Sequence, residues 1–533
     1  MTARTLDLPA SAPPDRDGAR RRRWVLIAVC TGLVAVVASV SGLNVAQGQL
    51  AADLGATQSQ LLWVINGYTI ALAALLLPIG AIGDRWGRKQ VLLGGLALFA
   101  GANVAASLAT TVTQLLVARV VGGGAAAMIM PVTLSVITST FPAEERDRAV
   151  GVWAGFAGAG GVLGLLSSSI VVDSFTWPWV FAAPVLLAAV AFGLTATFVP
   201  RSREEAHGRF DVLGSILSAV AVGALVLAVH EGPENGWTQP LTVGGLAVGL
   251  VAAGWFAVWE RRQEHPLLDL RVFRNRSLAA GSLVLLVLFA LLMGLFLVIV
   301  QFLQAALGYS AIRASLGLMP MAAVLMPLSA VAPRIATRVG FRTMFVSGLG
   351  LVAAGLGLMA AFASVSGGYW SVLPGLLVLG VGVGLAQTPA TSAITGSLPQ
   401  EEQGVASALN DTVREFGGAL GIALLGSVLS SGYRSGLGSA TSALPPDAAE
   451  AVRSGIGGAA AVAAKAGPAG DQIMVVARNA FVDGLGTTMW ISAAVAGVAA
   501  VVAFFALPRS AAAPFAGDEP ALVPEVDELS LVD

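Results

Sequence analysis

Charged residues are scarce in this chain, so those set in apolar surroundings are the first candidates for chemistry. The segment Gly80-Ala-Ile-Gly83-Asp84-Arg85-Trp-Gly87-Arg88-Lys89 places one carboxylate among three cations, between glycines that permit a short turn. A carboxylate there can pair with an arginine or sit on a helix N-terminus. It reads as a gate or, more plainly, as a basic loop that only orients the chain. Arg119 lies inside an apolar run, ~9 Å from its outer end at 1.5 Å per residue. A guanidinium at that depth is costly and faces a wet cavity or a partner, or else snorkels to the surface. Asp411, Arg414 and Glu415 are spaced i, i+3, i+4 and share one helical face. Gly404, Ser407, Gly418 and Gly421 extend that face as a small, polar stripe suited to helix contact. A long apolar stretch follows Glu415, which sets the trio near the start of its span. Two readings stay open there: a gating or proton-carrying role, and a solvated helix start with an internal ion pair.

Other chemistries find no support. Cys30 stands alone, without a CxxC, and His207, His230 and His265 are far apart, so neither a disulfide nor a metal site is expected. Neither lysine, Lys89 or Lys465, sits in a phosphate-cradling GxxxxGK[ST] loop, so the chain does not read as an ATPase. No nucleophile–base pairing marks an enzyme, no cofactor is implied, and nothing points to nucleic acid.

The elements that must position these residues are membrane helices. The chain is 56% hydrophobic and only 11% charged, with a mean hydropathy of +0.80. A soluble domain is about a quarter charged. Apolar runs long enough to cross ~30 Å of hydrocarbon fall at 24–47, 60–82, 91–109, 113–138, 149–171, 178–199, 210–230, 241–259, 277–302, 312–333, 342–363, 370–392, 404–429 and 487–508. The first is too long for a signal peptide, and thirteen more follow. An even number of spans puts both termini on one side. Of the 30 Lys and Arg residues, 23 fall in the two tails and the loops on that side, five fall opposite, and Arg119 and Arg414 lie within runs. The positive-inside rule makes the arginine-rich side cytoplasmic. The tails (about 1–20 and 510–533) read as disordered. The Ala/Gly/Ser-rich stretch 430–480 reads as external, with a short helix around 447–465.

The Gly80–Lys89 segment resembles the signature of the major facilitator superfamily, G-x-L-a-D-r-x-G-r-k. A weaker second copy, Pro333-Arg334-Ile-Ala-Thr337-Arg338-Val-Gly340-Phe-Arg342, places Thr337 where the first has Asp84. Six spans, two extra and six more resemble the layout of the fourteen-spanner drug:proton antiporters. Arg119, followed by Gly122 and Pro131, resembles that family's helix 4 motif, as do Phe141-Pro142 and Glu145-Arg146. The resemblance implies an all-α major facilitator fold: an N-terminal bundle at 24–199, two added helices with linkers at 200–276, and a C-terminal bundle at 277–508. It implies a monomer in the lipid bilayer of a bacterial inner membrane, exporting small molecules by proton antiport. It also implies a gate at Gly80, Gly83, Asp84, Arg85, Gly87, Arg88 and Lys89, in which the Asp locks the two halves in the outward-open state. A coupling role falls on Arg119, with Asp411, Arg414 and Glu415 as further candidates. Asn44, Trp63, Asn66, Tyr68, Gln301 and Gln304 match aromatic and amide positions that line a cavity, although aromatics there also serve as interfacial anchors.

The chain departs from the family in two places. Ser39 stands where helix 1 usually carries a buried Asp, and Gly48 where a Pro follows. Helix 5 reads Gly164-Leu-Leu-Ser167-Ser168-Ser169 in place of G-P-x-x-G-G, while Gly155, Gly158, Gly160 and Gly161 remain. No carboxylate is expected near the middle of any span, which favours neutral, zwitterionic or anionic solutes. Two rivals follow: an uncoupled carrier of a lipid or natural product, and a scaffold or sensor on a transporter fold.

Overall fold

In lipid every backbone N–H and C=O must be satisfied within the segment, so apolar runs of this length become helices. The computed structural model describes residues 16–202, 210–442 and 444–507, and among them there are helices and no strand. The helices are α1 (Arg16–Leu54), α2 (Gln58–Trp86), α3 (Arg88–Ser107), α4 (Val112–Thr140), α5 (Ala143–Ser174), α6 (Ala182–Phe198), α7 (Val212–Asn235) and α8 (Pro240–Glu260). They continue with α9 (Arg276–Gln301), α10 (Ala311–Val339), α11 (Phe341–Phe362), α12 (Leu373–Thr395), α13 (Gln403–Leu437), α14 (Pro446–Ser454), α15 (Ile456–Lys465) and α16 (Pro468–Ala506). Fourteen spans result, as expected, with α14 and α15 too short to cross.

Local signals set the ends. Thr57 and Gln60 form a reciprocal capping box at the start of α2. Single glycines join α2 to α3 and α10 to α11: Gly87 at φ +105° and Gly340 at φ +82°. Both conformations disfavour a side chain, and the same turn closes the corresponding hairpin in each half.

Helices α1–α6 form one bundle, with α1 against α5 and α6, α2 against α4, and α3 against α4 and α6. Helices α9–α13 and α16 form the second, through α9–α13, α10–α12, α11–α12, α11–α16 and α13–α16. Two seams join the bundles, α2 on α13 and α5 on α10. The α7–α8 hairpin lies against the first seam, where Val226 and Val229 meet Ala73, Ala419 and Ala423. Helix α8 leaves Leu250, Val251 and Trp255 exposed, a face suited to lipid.

Two boundaries differ from the sequence expectation. The last helix begins at Pro468, well before the apolar run at 487, and the helix expected at 447–465 is two, broken at Gly455. Alanine-rich sequence is helical by propensity even where hydropathy is too low to register as a span. The pair is held down by the Tyr433 hydroxyl, which donates to Val452 O at 3.0 Å, and by Arg453 Nε, which donates to Thr441 Oγ1 at 2.9 Å. The terminal tails, Arg203, His207 and Arg209 lie outside the described residues, apart from the helical start of α1.

Candidate functional site

Because successive spans alternate in direction, the end of α2 and the starts of α5 and α13 meet at one end of the molecule, which carries most of the arginines. A helix start offers N–H groups without intrahelical partners. At α13 those of Gly404 and Val405 point at Asp84. Gly404 N donates to Asp84 Oδ2 at 2.8 Å and Oδ1 at 2.9 Å, and Val405 N donates to Oδ2 at 3.2 Å. On its own side Asp84 accepts from Arg88 Nη2 at 2.9 Å and Nε at 3.1 Å. Arg88, 1% exposed, also donates to Gln400 O at 3.2 Å. One carboxylate thus ties an arginine of its own bundle to the positive end of a helix in the other.

The approach is close because both helices carry glycine at the crossing. A Cβ on Gly80 would strike the Gly404 carbonyl and Ala408 Cβ, and a Cβ on Gly404 would strike Gly80 O and the Asp84 carboxylate. Gly404→Val is therefore expected to leave expression intact and cut transport by roughly tenfold or more, on the order of the 1–3 kcal/mol cost of overpacking. An unchanged initial rate in membrane vesicles would remove this crossing from the mechanism.

The other motif residues divide. Lys89 Nζ turns within its bundle and donates to Ala196 O at 2.8 Å and Val199 O at 2.9 Å, capping the end of α6. Arg85 is partly exposed, and Gly83 faces Val132. In the second copy Thr337 Oγ1 donates only to Arg334 O of its own helix. There the α5–α10 seam closes by backbone contact, Gly151 on Ser329 and Gly155 on Met326. Gln387 Nε2 on α12 donates to Ala154 O at 3.0 Å, and Ser392 Oγ donates to Asp147 Oδ1 at 3.3 Å.

The charged trio of α13 sits deeper than expected. The helix has 35 residues, and Glu415 lies ~18 Å from its Gln403 end at 1.5 Å per residue. Asp411 is 0% exposed and accepts from Arg414 Nη1 at 3.0 Å. The Arg414 guanidinium lies 4.4 Å from the ring centroid of Phe289, halfway along α9, and 5.2 Å from that of Trp153 on α5. The expectation of no carboxylate at mid-span is thus corrected. Helix α13 packs Arg414 against the middle of α9, and aromatic faces offset part of the burial cost. Glu415 is half-buried and within electrostatic range of Tyr68 in the other bundle.

Arg119 does not snorkel. It is 2% exposed, donates through Nη1 to Ser39 Oγ at 2.9 Å and Ser39 O at 3.2 Å, and lies 4.1 Å over the Tyr68 ring. Ser39 Oγ in turn donates to Asn103 Oδ1 at 3.0 Å. Tyr68 is fully buried beneath this group, with its hydroxyl donating to Val36 O at 3.4 Å. It therefore supports Arg119 and is not a free cavity wall. Asn66 is buried, Trp63 and Gln301 are half-buried, and Gln304 is exposed on a π-turn after α9. The Asn44 side chain lies outside the described residues. Sequence reading missed Gln400, Asn103, Trp153, Phe289 and Gln387, which act as hydrogen-bond and stacking partners. The only signal for any of them is Pro399-Gln-Glu-Glu, a helix-start pattern before α13.

Two six-helix bundles with a charge lock across one end define a polytopic membrane carrier. The chain belongs to the Major Facilitator Superfamily, whose profile matches residues 27–422. It is 33% identical to the tetracenomycin C resistance and export protein of Streptomyces glaucescens, over 95% of this chain and 96% of that one. It is also 33% identical to the multidrug efflux pump LfrA of Mycolicibacterium smegmatis, over 92% and 97% of the two chains. The solved proton:xylose symporter XylE superposes with a TM-score of 0.59 at 15% identity, covering 92% of this chain and 97% of that one, and shares its fold.

Proposed function

We propose that this chain is a monomeric exporter of drugs, antibiotics or related small lipophilic molecules across a bacterial plasma membrane, driven by proton antiport. The N-terminal bundle (24–199) and the C-terminal bundle (277–508) alternate access around a central site, and both termini are cytoplasmic. The names of the relatives support the substrate class: a resistance and export protein, a multidrug efflux pump and, at 30% identity, the methylenomycin A resistance protein of Streptomyces coelicolor. The observation that carries the mechanism is the Asp84 lock on the α13 N-terminus. The Asp84 contact joins the bundles at one end and forms and breaks as a unit when they rock. A scaffold has no use for such a contact. With the arginine-rich end cytoplasmic, the closed lock corresponds to an outward-facing state. Asp411 and Glu415 are the proton carriers, since intramembrane carboxylates are the usual relays.

The test is drug accumulation in a pump-deficient bacterial host expressing the chain, with and without a protonophore. The expected result is a several-fold lower accumulation that the protonophore abolishes. Efflux indifferent to the protonophore would favour an uncoupled carrier, consistent with Ser39 and the altered helix 5. No effect on any compound would overturn the exporter reading.

A further inference from the structure

We propose that Arg119 is the binding point for the anionic group of the transported solute, so that the preferred substrates are amphipathic organic acids. This rests on the exporter reading above and narrows it. The guanidinium is 2% exposed, yet its partners are neutral: a serine hydroxyl, a backbone carbonyl and a tyrosine ring. Among the described residues no carboxylate lies within ion-pair distance of it. The residue best placed to supply one is serine, Ser39, at 2.9 Å. A charge taken out of water without a counter-ion is strongly disfavoured, so the site stands ready for one.

The geometry specifies the ligand further. Nη1 is engaged, while Nε and Nη2 have no partner and are buried. Those two donors form one edge of the planar guanidinium, the edge that takes a carboxylate or a similar two-oxygen anion through two parallel hydrogen bonds. Tyr68 covers a face and Ser39 one end, so Arg119 is held in orientation before any ligand arrives. The surrounding spans are apolar, which favours an acid carried on an apolar body. Arg414, buried in α13, is spoken for by Asp411. Glu415 is the rival counter-ion, facing Tyr68 from α13 without reaching Arg119 in this conformation.

The test uses the full-length protein and three matched compounds: a fluorescent polycyclic carboxylic acid, its methyl ester and the corresponding amine. Binding is measured in detergent without a proton gradient, and uptake in proteoliposomes, at a pH where the acid is ionised. Wild type is expected to bind the acid ~10- to 100-fold tighter than the ester. Arg119→Gln should bring the acid down to the level of the ester, abolishing the acid-to-ester preference. Ser39→Asp, which places a carboxylate against the guanidinium, should do the same while retaining the arginine. Equal binding of acid and ester by wild type, equal loss of both in Arg119→Gln, or an undiminished acid preference in Ser39→Asp would each overturn the proposal. If wild type carries none of the three, the exporter reading itself fails. If it carries the ester or amine but not the acid, only the assignment of substrate charge fails.

Discussion

Asp84→Asn is expected to lower transport by about 30- to 1000-fold while the protein still reaches the membrane. Asparagine keeps the shape but loses the charge that accepts from Gly404 N, Val405 N and Arg88 at 2.8–3.2 Å. Hydrogen bonds to a charged group contribute ~1.5–3 kcal/mol each. Weakening the contacts from Gly404 N and Val405 N across the seam, and losing the Asp84–Arg88 ion pair, removes roughly 2–4 kcal/mol from the closed state. At ~1.4 kcal/mol per decade, that is the stated range. Only the state that contains the lock is affected, so the population shifts toward opening at the arginine-rich end. Two measurements check this. Initial rates in vesicles should fall, and Ser392→Cys, in a Cys30→Ser background, should be alkylated faster from that side. Ser392 is buried on α12 and bonds Asp147 of the other bundle, so parting of the bundles exposes it. A variant with normal turnover and unchanged alkylation would show that the lock does not limit the cycle.

The span count and the gate motif were legible because each rests on a local signal. Hydropathy marks a span wherever lipid is the solvent, and Asp84 is one carboxylate in a cationic turn. Even its two kinds of partner, an arginine and a helix N-terminus, follow from its chemistry. What sequence does not carry is which residue of a distant helix receives it. Gly404 is 320 positions away, and a glycine in an apolar run reads as packing. Depth is also hard to read. The apolar run of α13 begins near Gly404, so its charged trio looks interfacial, but helices of 35 and 26 residues pack with Arg414 against the middle of α9. Lys89 shows the converse. It sits within a gate motif by spacing, yet caps α6 in its own bundle, because a long flexible amine reaches the nearest free carbonyls. Ser39 was legible as a departure from the family pattern. Its consequence, a guanidinium with a hydroxyl for a partner, needed the structure.

The second large effect belongs to Asp411 and Arg414. Asp411→Asn leaves a cation buried between Phe289 and Trp153 without a counter-ion. Breaking a buried pair from one side costs ~3–5 kcal/mol, and the thermal transition of the purified protein should fall by many degrees. Replacing both partners, Asp411→Leu with Arg414→Met, removes two desolvation costs together and should restore stability to near wild type. Transport separates two roles that stability cannot. If the pair only holds α13 in place, the double variant will transport with its proton dependence intact. If Asp411 carries protons, with Arg414 setting when it releases them, the double variant will be stable and inactive against a pH gradient. Glu415→Gln is the companion. Half-buried and outside any ion pair, it should leave the thermal transition within about 1 kcal/mol of wild type, as substitutions away from paired buried groups usually do. It should nevertheless abolish or uncouple efflux. A stable, fully coupled Asp411→Leu, Arg414→Met protein would remove the pair from the proton path and leave Glu415 as the sole carrier on α13.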